Sequence, residues 1–575
     1  MTVSMASRES GRATTSGLSQ RGRIAALVAI CLAELLVVLD NTLVNVALPS
    51  MAVQLQADMS GLQWIVDAFT LAFSGLLLAM GHLGDRFGRR RFMVVGLAGV
   101  AVMSAAGALS SGLGQVIAAR AGMGVFAAVV FPATLALLIN IFTEPRQRAA
   151  AVAAWTAMAG MAVAIGPTIG GWLLEYFSWH SVFWINVPVA LIAIAAVLLT
   201  VPESRADHVA RLDRIGIVLS LVGVTALVWS IIEAPKHGWL SAQSLAGYLL
   251  SIITLAVFVG WELRVATPVL NMRLFRNRRF ALPSLAITVS YFAAFGFLFL
   301  ITQYFQGVKE LTPLEFGIHS LPFAVAVGFG APIATMMAQR FGTTAMVVSG
   351  LLILAVAMYI AGRTTVDTEY VGPVVVSMIL MGLGFAVVQG PATESIMGSV
   401  PLDEAGAGSA VNDTTREVGG ALGVAVLGSI MTSIYAAHVS GRIAGIPAQI
   451  MNPQQKELAS NTPISVLEIV KTPVNPLLAP AKADLIHAMK VAALEGSQVA
   501  SYVAVGTLVV AAIVVALALP WRAERLPSVL LGWRENDTAA ADPADAASDP
   551  AAAESDPAAA ESDQVGAVAD SISRS

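Results

Sequence analysis

Cysteine is almost missing. Cys31 stands alone in an apolar run of a 575-residue chain, which excludes a disulfide and a thiolate metal site. Charge is scarce too. Asp, Glu, Lys and Arg make up 12 % of the residues, about half of what a water-soluble domain averages. No G-x-x-x-x-G-K-[ST] stretch occurs, so direct use of ATP is not expected. Neither a metal-ligand cluster nor a nucleophile–base constellation stands out, so no cofactor is expected and the chain does not read as an enzyme. No long polar block houses a soluble domain, and nothing points to nucleic acid or to an obligatory protein partner. The polar first twenty residues run straight into a span too long for a cleavable signal core.

What is present is oil. Hydrophobic residues account for 57 % of the chain, and the mean hydropathy is +0.76. About 20 apolar residues cross a bilayer as a helix. Fourteen segments qualify: 24–48, 62–82, 92–111, 115–141, 149–173, 181–201, 215–233, 244–263, 280–302, 316–338, 344–362, 371–396, 406–433 and 499–520. The expected class is an all-α polytopic membrane protein with both termini on one side. Arginine says which side. With the termini inside, the inner links hold a series from Arg86 to Arg340, and the short outer links hold only Lys236, Lys309 and Arg363. Both termini are therefore read as cytoplasmic, in a cell inner membrane. Residues 434–498 read as a long external loop with room for short surface helices. The Ala/Asp/Ser/Pro-rich stretch 521–575, with its SDPAAAESDPAAAESD duplication, cannot bury a core and reads as a disordered cytoplasmic tail.

The chain also repeats itself. GHLGDRFGRRRFMVVG (81–96) echoes TMMAQRFGTTAMVVSG (335–350), and MGVFAAVVFPAT (123–134) echoes MGLGFAVVQGPAT (381–393). The two offsets nearly agree, so a six-helix unit is duplicated and the seventh and eighth spans are an insert. The units read as a cytoplasmic tail 1–23, a first half 24–201, an inserted segment 202–279 and a second half 280–520. Transporters are often built so, with the site between the halves.

Four stretches carry a resemblance to the major facilitator superfamily, in its fourteen-span drug:proton antiporter branch. GHLGDRFGRRR matches the loop signature, LDNTLVNVALP (39–49) the first-helix signature, IAARAGMG (117–124) the fourth-helix signature and IGPTIGG (165–171) the antiporter signature. Ala162 and Met123 depart from the pattern. The resemblance implies the major facilitator fold, two six-helix halves plus two inserted spans, and alternating access. It makes Gly81, Asp85, Arg86, Gly88 and Arg89 a cytoplasmic latch between the halves. Asp85 and Arg89 have the i, i+4 spacing of an ion pair. In the second copy Gln339 and Thr343 stand in their places, so only the first half keeps this chemistry. Gly166, Pro167, Gly170 and Gly171 share one helix, where Gly permits tight contact and Pro bends.

Ionisable residues inside the spans are the sharpest functional signal, since each costs about 2.5–3.5 kcal/mol at mid-membrane. They are Glu34 and Asp40 on the first helix, Asp67 on the second, Arg120 on the fourth, Glu394 on the twelfth, and Asp413, Arg416 and Glu417 on the thirteenth. Asp40 lies deep enough to need a partner or water; the alternative to a working acid is a charge structurally paired with Arg120 or a backbone group. A carboxyl there can hold a proton and then exchange it for a cationic drug. Asp67, Thr70 and Ser74 share a face that could line a proton route, and Glu34, Asn41 and Asn45 share another. Trp64, Trp155, Trp172, Trp179 and Trp184 read as interfacial belt. The expected function is proton-coupled efflux of amphipathic, often cationic drugs, with protons as the coupling ion. The alternatives are a dedicated exporter of a lipid, siderophore or metabolite, and a transporter-like sensor or scaffold.

Overall fold

The structure, a computed structural model, describes residues 19–205, 213–266, 268, 270–400, 405–446, 451–462 and 482–520. The C-terminal stretch 521–575 and residues 1–18 lie outside it. The described chain is nearly all helix, and each boundary has a local cause. In α1 (Gln20–Gln54), Ser19 accepts a bond from the Gly22 N–H at 3.2 Å; in α2 (Met59–Phe87), Asp58 accepts from the Gly61 N–H at 2.8 Å. Such caps satisfy donors that the first turn leaves free. Gly88, at φ +108°, ends α2 and opens α3 (Arg89–Ala108). A Cβ is disfavoured at that angle. Then come α4 (Leu113–Ile141), α5 (Pro145–Tyr176), the short α6 (Ser181–Trp184) and α7 (Asn186–Thr200).

The insert is α8 (Arg214–His237) and α9 (Ala242–Glu262). The second half comprises α10 (Arg278–Thr302, continued by a π-turn over Gln303–Val308), α11 (Pro313–His319), α12 (Leu321–Phe341), α13 (Thr343–Ala361), α14 (Val375–Gly398), α15 (Ala405–Ala444), α16 (Pro453–Asn461) and α17 (Lys482–Ala518). Among the described residues, twelve helices are long and apolar enough to cross a membrane. The helices α5 and α12, 32 and 21 residues long, stand at the expected fifth and tenth positions and are not among those twelve.

The repeat read from sequence is a repeat in space. Gly342, at φ +85°, ends α12 and opens α13 as Gly88 does between α2 and α3. Gly96 of α3 lies against Val129 and Val130 of α4, and Gly350 of α13 lies against Val388 of α14. The same glycine–valine contact thus closes both copies. Between the halves, α2 packs on α15 and α5 on α11 and α12, while α8 of the insert lies against both α2 and α15.

One expectation needs correction. The segment 434–498 is not all loop: α15 runs on to Ala444 and α17 starts at Lys482. Polar residues do not stop a helix whose buried side keeps an apolar stripe, here Tyr435, Val439 and Ile443. Between them α16 packs on α15, with the Tyr435 hydroxyl donating to the Ala459 carbonyl at 3.0 Å.

Candidate functional site

The bundle has a loop end, carrying Gly81–Arg91, and a far end. Three polar clusters lie between them, and the sequence-predicted acids divide among all three.

The first is sealed inside the first half. Asp40 and Arg120 are 1 % and 0 % exposed and pair at 2.5 Å. Arg120 also donates from Nε to the Ile65 carbonyl at 3.0 Å, and its guanidinium lies 4.4 Å from the Phe69 ring centroid. Asn186 of α7 completes the cluster. It donates to Asp40 Oδ1 at 2.7 Å and to Ser104 Oγ at 3.1 Å, and Ser104 donates onward to the Phe183 carbonyl at 2.7 Å. Three helices, α1, α4 and α7, therefore meet on one carboxylate, and α3 joins through Ser104. Asp40 is thus held by its own half, not presented between the halves as a cargo site. Sequence reasoning passed over Asn186 and Ser104, although a lone amide in the apolar FWINVPVALI run was a usable signal.

The second cluster lies on the seam where α2 meets α15. Gln63 donates across it to the carbonyls of Val424 (3.0 Å) and Ala425 (2.9 Å) and to Ser429 Oγ (3.3 Å). Leu71, two turns on, packs with Ala421 and Ala425 of α15 and Val228 of α8. Asp67 falls between them on the same stripe, because residues four apart on a helix stack on one face. It is fully buried, and neither carboxylate oxygen has a hydrogen-bond partner. Thr70 and Ser74 are also buried, and their hydroxyls turn back to the carbonyls of Val66 and Leu71. The expected open water route along this face is therefore shut here.

The third cluster draws on both halves. Glu34 of α1 is 1 % exposed, and both its oxygens lack hydrogen-bond partners. It feels the charges of Asp413 and Arg416 of α15. Arg416 contacts Asp413 at 3.5 Å, donates to Thr393 Oγ1 at 3.2 Å and lies 5.9 Å from the Tyr291 ring centroid. Glu417 is half-buried and within electrostatic reach of Arg416. Asn45 spends its amide on the Asn41 carbonyl one turn back. Glu394 is exposed, outside all three clusters.

The helix ends are built from backbone. At the loop end, Asp85 and Arg89 pair at 2.6 Å. Glu203, just past α7, accepts from the backbone N–H groups of Arg90 (3.0 Å) and Arg91 (3.3 Å). The Arg89 N–H donates to the Ser204 carbonyl at 2.9 Å. An anion at a helix N-terminus is stabilised there, so this loop is fastened to its own half. The bonds described for it do not reach the second half. At the far end Gly171 of α5 lies on the backbone of Pro313 and Leu314, and Gly317 of α11 lies on that of Pro167 and Thr168. Gly166 and Gly170 bring α5 against Thr42, Leu43 and Val46 of α1. The Gln306 amide donates to the Val46 carbonyl at 3.1 Å.

The tryptophans part company. Trp172 and Trp184 are exposed near the far end, as a belt requires, but Trp179 is buried. Trp155 turns inward and donates to Thr134 Oγ1 at 3.2 Å, and Trp64 packs into the α2–α8–α15 cluster. The belt reading fails for these three because helix packing, not depth alone, sets which way a ring points.

A family model described as Major Facilitator Superfamily matches residues 30–424. The chain is 36 % identical over 439 residues to the multidrug efflux pump LfrA of Mycolicibacterium smegmatis, covering 76 % of this chain and 85 % of that protein. It is 34 % identical to the tetracenomycin C resistance and export protein of Streptomyces glaucescens (74 % and 79 % covered). It is 33 % identical to the methyl viologen resistance protein SmvA of Salmonella typhimurium (74 % and 85 %). Among solved structures, a bacterial homolog of the human lysosomal transporter Spinster, inward-facing and occupied, superposes with a TM-score of 0.61. It shares 16 % identity, with 87 % of this chain and 97 % of that one covered.

Proposed function

The chain belongs to the major facilitator superfamily, and we propose that it is a proton-coupled exporter of amphipathic organic cations in the cytoplasmic membrane. It is a membrane transporter, not an enzyme. The arginine-rich loop end supports a reading with both termini in the cytoplasm, and α5 and α12 at the fifth and tenth positions would complete fourteen spans. The relatives named for multidrug efflux, tetracenomycin C export and methyl viologen resistance support export and point to organic, in part cationic, cargo.

The observation that carries coupling is Asp67. An ionised carboxylate buried there without a side-chain or backbone partner would lose its hydration at a cost of several kcal/mol. The protonated acid avoids that cost while α2 and α15 are closed. When they part, Asp67 meets water and releases its proton, and the seam closes again only after reloading. Asp40 has the companion role: a proton arriving there loosens Arg120 and the helices it ties. The sequence placed proton and cargo on one acid, Asp40. The geometry favours dividing them, with protons at Asp67 and Asp40 and cargo at the third cluster of Glu34, Asp413, Arg416 and Glu417. The contacts between halves at Gln63, Val46, Gly171 and Gly317 all lie toward the far end, which supports a cavity opening to the cytoplasm.

The test is proton flux in proteoliposomes. An imposed proton gradient is expected to drive ethidium transport by the wild type, and Asp67→Asn is expected to abolish transport while binding persists. Undiminished gradient-driven transport by Asp67→Asn would remove that residue from coupling. A second reading, export of a natural product made by the cell, is favoured by the tetracenomycin relative. It predicts accumulation of one compound inside a deletion strain, with no change in ethidium retention.

A further inference from the structure

Two arginines inside the bundle face acids in this protein, one buried and one partly exposed, and they are held very differently. Arg120 is held tightly: fully buried, 2.5 Å from Asp40, bonded to a backbone carbonyl and stacked at 4.4 Å on Phe69, with only its second terminal nitrogen unbonded. Arg416 is loose. Its side chain is 25 % exposed, its contact with Asp413 is 3.5 Å long, and its Nε has no hydrogen-bond partner. Acids outnumber it, with Glu34, Asp413 and Glu417 all in electrostatic reach. Glu34 is the informative one. It belongs to the other half of the molecule, is 1 % exposed and leaves both oxygens without hydrogen bonds.

Beside the guanidinium stands a prepared aromatic surface. The Tyr291 ring is 5.9 Å from Arg416 Cζ. Phe295 stacks on it at 5.6 Å, and Phe385 meets it edge-on at 5.0 Å. A cation over such a ring is attracted by the negative face of its π system. Surplus carboxylates, a fixed aromatic wall and partial exposure are what an organic cation requires of a binding site, and a cation tethered to the protein already sits there.

We propose that Arg416 is a built-in stand-in for the substrate: its guanidinium occupies the seat over Tyr291, between Glu34 and Asp413, that the charged group of an organic cation takes on binding. This rests on the organic-cation reading above and deepens it. Binding is then an exchange of one cation for another. The site keeps its acids neutralised while empty and hands them to the cargo when Arg416 swings aside. Because Glu34 comes from the first half and the other acids from the second, a cargo cation so placed is held by both halves at once.

The test is equilibrium binding of tetraphenylphosphonium to the full-length protein in nanodiscs. Arg416→Gln removes the competitor and is expected to bind the probe about tenfold tighter than wild type or better. Arg416→Lys, which keeps a cation, should stay within a few-fold of wild type. Glu34→Gln should bind about tenfold more weakly. Unchanged or weaker binding by Arg416→Gln overturns the proposal. If that variant does not fold, Glu34→Gln and Tyr291→Leu decide: unaltered affinity in both overturns it, and loss in both supports it. If wild type and variants alike fail to bind the probe, the organic-cation reading itself falls and takes this inference with it. Tight wild-type binding with no gain in Arg416→Gln overturns only the stand-in role.

Discussion

At the scale of single residues, this protein puts unlike tasks on chemically like side chains. Asp40, Asp67 and Glu34 are all carboxylates with almost no exposure. Asp40 has a cation and an amide, Asp67 has neither, and Glu34 faces charges on the opposite half. Breaking the first of these is expected to be costly in a particular way. Arg120→Leu leaves Asp40 buried and unpaired, which should cost about 3–5 kcal/mol, whereas Asp40→Leu with Arg120→Leu should cost less than either change alone. Thermal unfolding in detergent across that double-mutant cycle measures it, and additive losses would show that the pair is not coupled. For transport, Asp40→Asn should insert normally and lose gradient-driven ethidium efflux in everted vesicles. Wild-type efflux from that variant would remove Asp40 from the mechanism. The candidate acids were legible in the sequence because ionisable residues in apolar runs are rare. Their division of labour was not, because it depends on which helices arrive from elsewhere: Arg120 from α4, Asn186 from α7, Arg416 from α15.

At the scale of helices and turns, glycine decides where backbones meet. Gly88 is at φ +108°, and a Cβ there would come within 2.9 Å of Glu203 Oε1. Gly88→Ala is therefore strained in backbone and pushes away the carboxylate that caps α3, at about 1–2 kcal/mol each. A fall of several degrees in the melting temperature is expected, and a melt unchanged within a degree would contradict it. Glu203 itself escaped sequence reading, since an acid just after a span looks like ordinary solvated chain; only the fold brings it to the start of α3. Gly171 and Gly317 bear on the transport cycle instead. Each lies backbone to backbone against the other's helix, so Gly317→Val should prop α5 and α11 apart. Single cysteines placed beside this contact on α5 and α11 should then label faster with a membrane-impermeant reagent than in wild type. Equal labelling rates would mean that this contact does not close the far end.

At the scale of the whole molecule, two related halves meet in a reciprocal way. The pairs α2–α15 and α5–α12 are counterparts under the repeat, since α2 corresponds to α12 and α5 to α15. Rocking about such a seam opens one end as it closes the other. The insert complicates the symmetry. Lys236 of α8 pairs with Asp58 at the start of α2 at 2.7 Å, and Trp239 donates to Ser433 of α15 at 3.0 Å. The added helices therefore span one of the two seams. A cross-link tests whether that seam must part. In a Cys31→Ser background, Gln63→Cys with Ser429→Cys replaces a 3.3 Å contact. Oxidation should reduce efflux to background, and a reductant should restore it. Full efflux from the oxidised protein would show that the seam stays shut throughout the cycle.

The sequence by itself determined what hydrocarbon imposes locally. Each span had to be a continuous apolar helix, because a backbone in lipid satisfies its hydrogen bonds only within itself. Most of the helical spans and the short list of intramembrane charges follow from that and were readable, while α5 and α12 are not among the twelve helices long and apolar enough to cross. The tertiary structure decided everything that depends on two helices meeting. It determined that Asp40 is sealed within its own half, that Asp67 lies bare on a seam, and that Glu34 looks across to Arg416. It also determined that the loop-end charges hold to Glu203. A residue's spacing along its own helix fixes the face it occupies, but the neighbour on that face comes from packing between segments far apart in the chain, which no local pattern encodes.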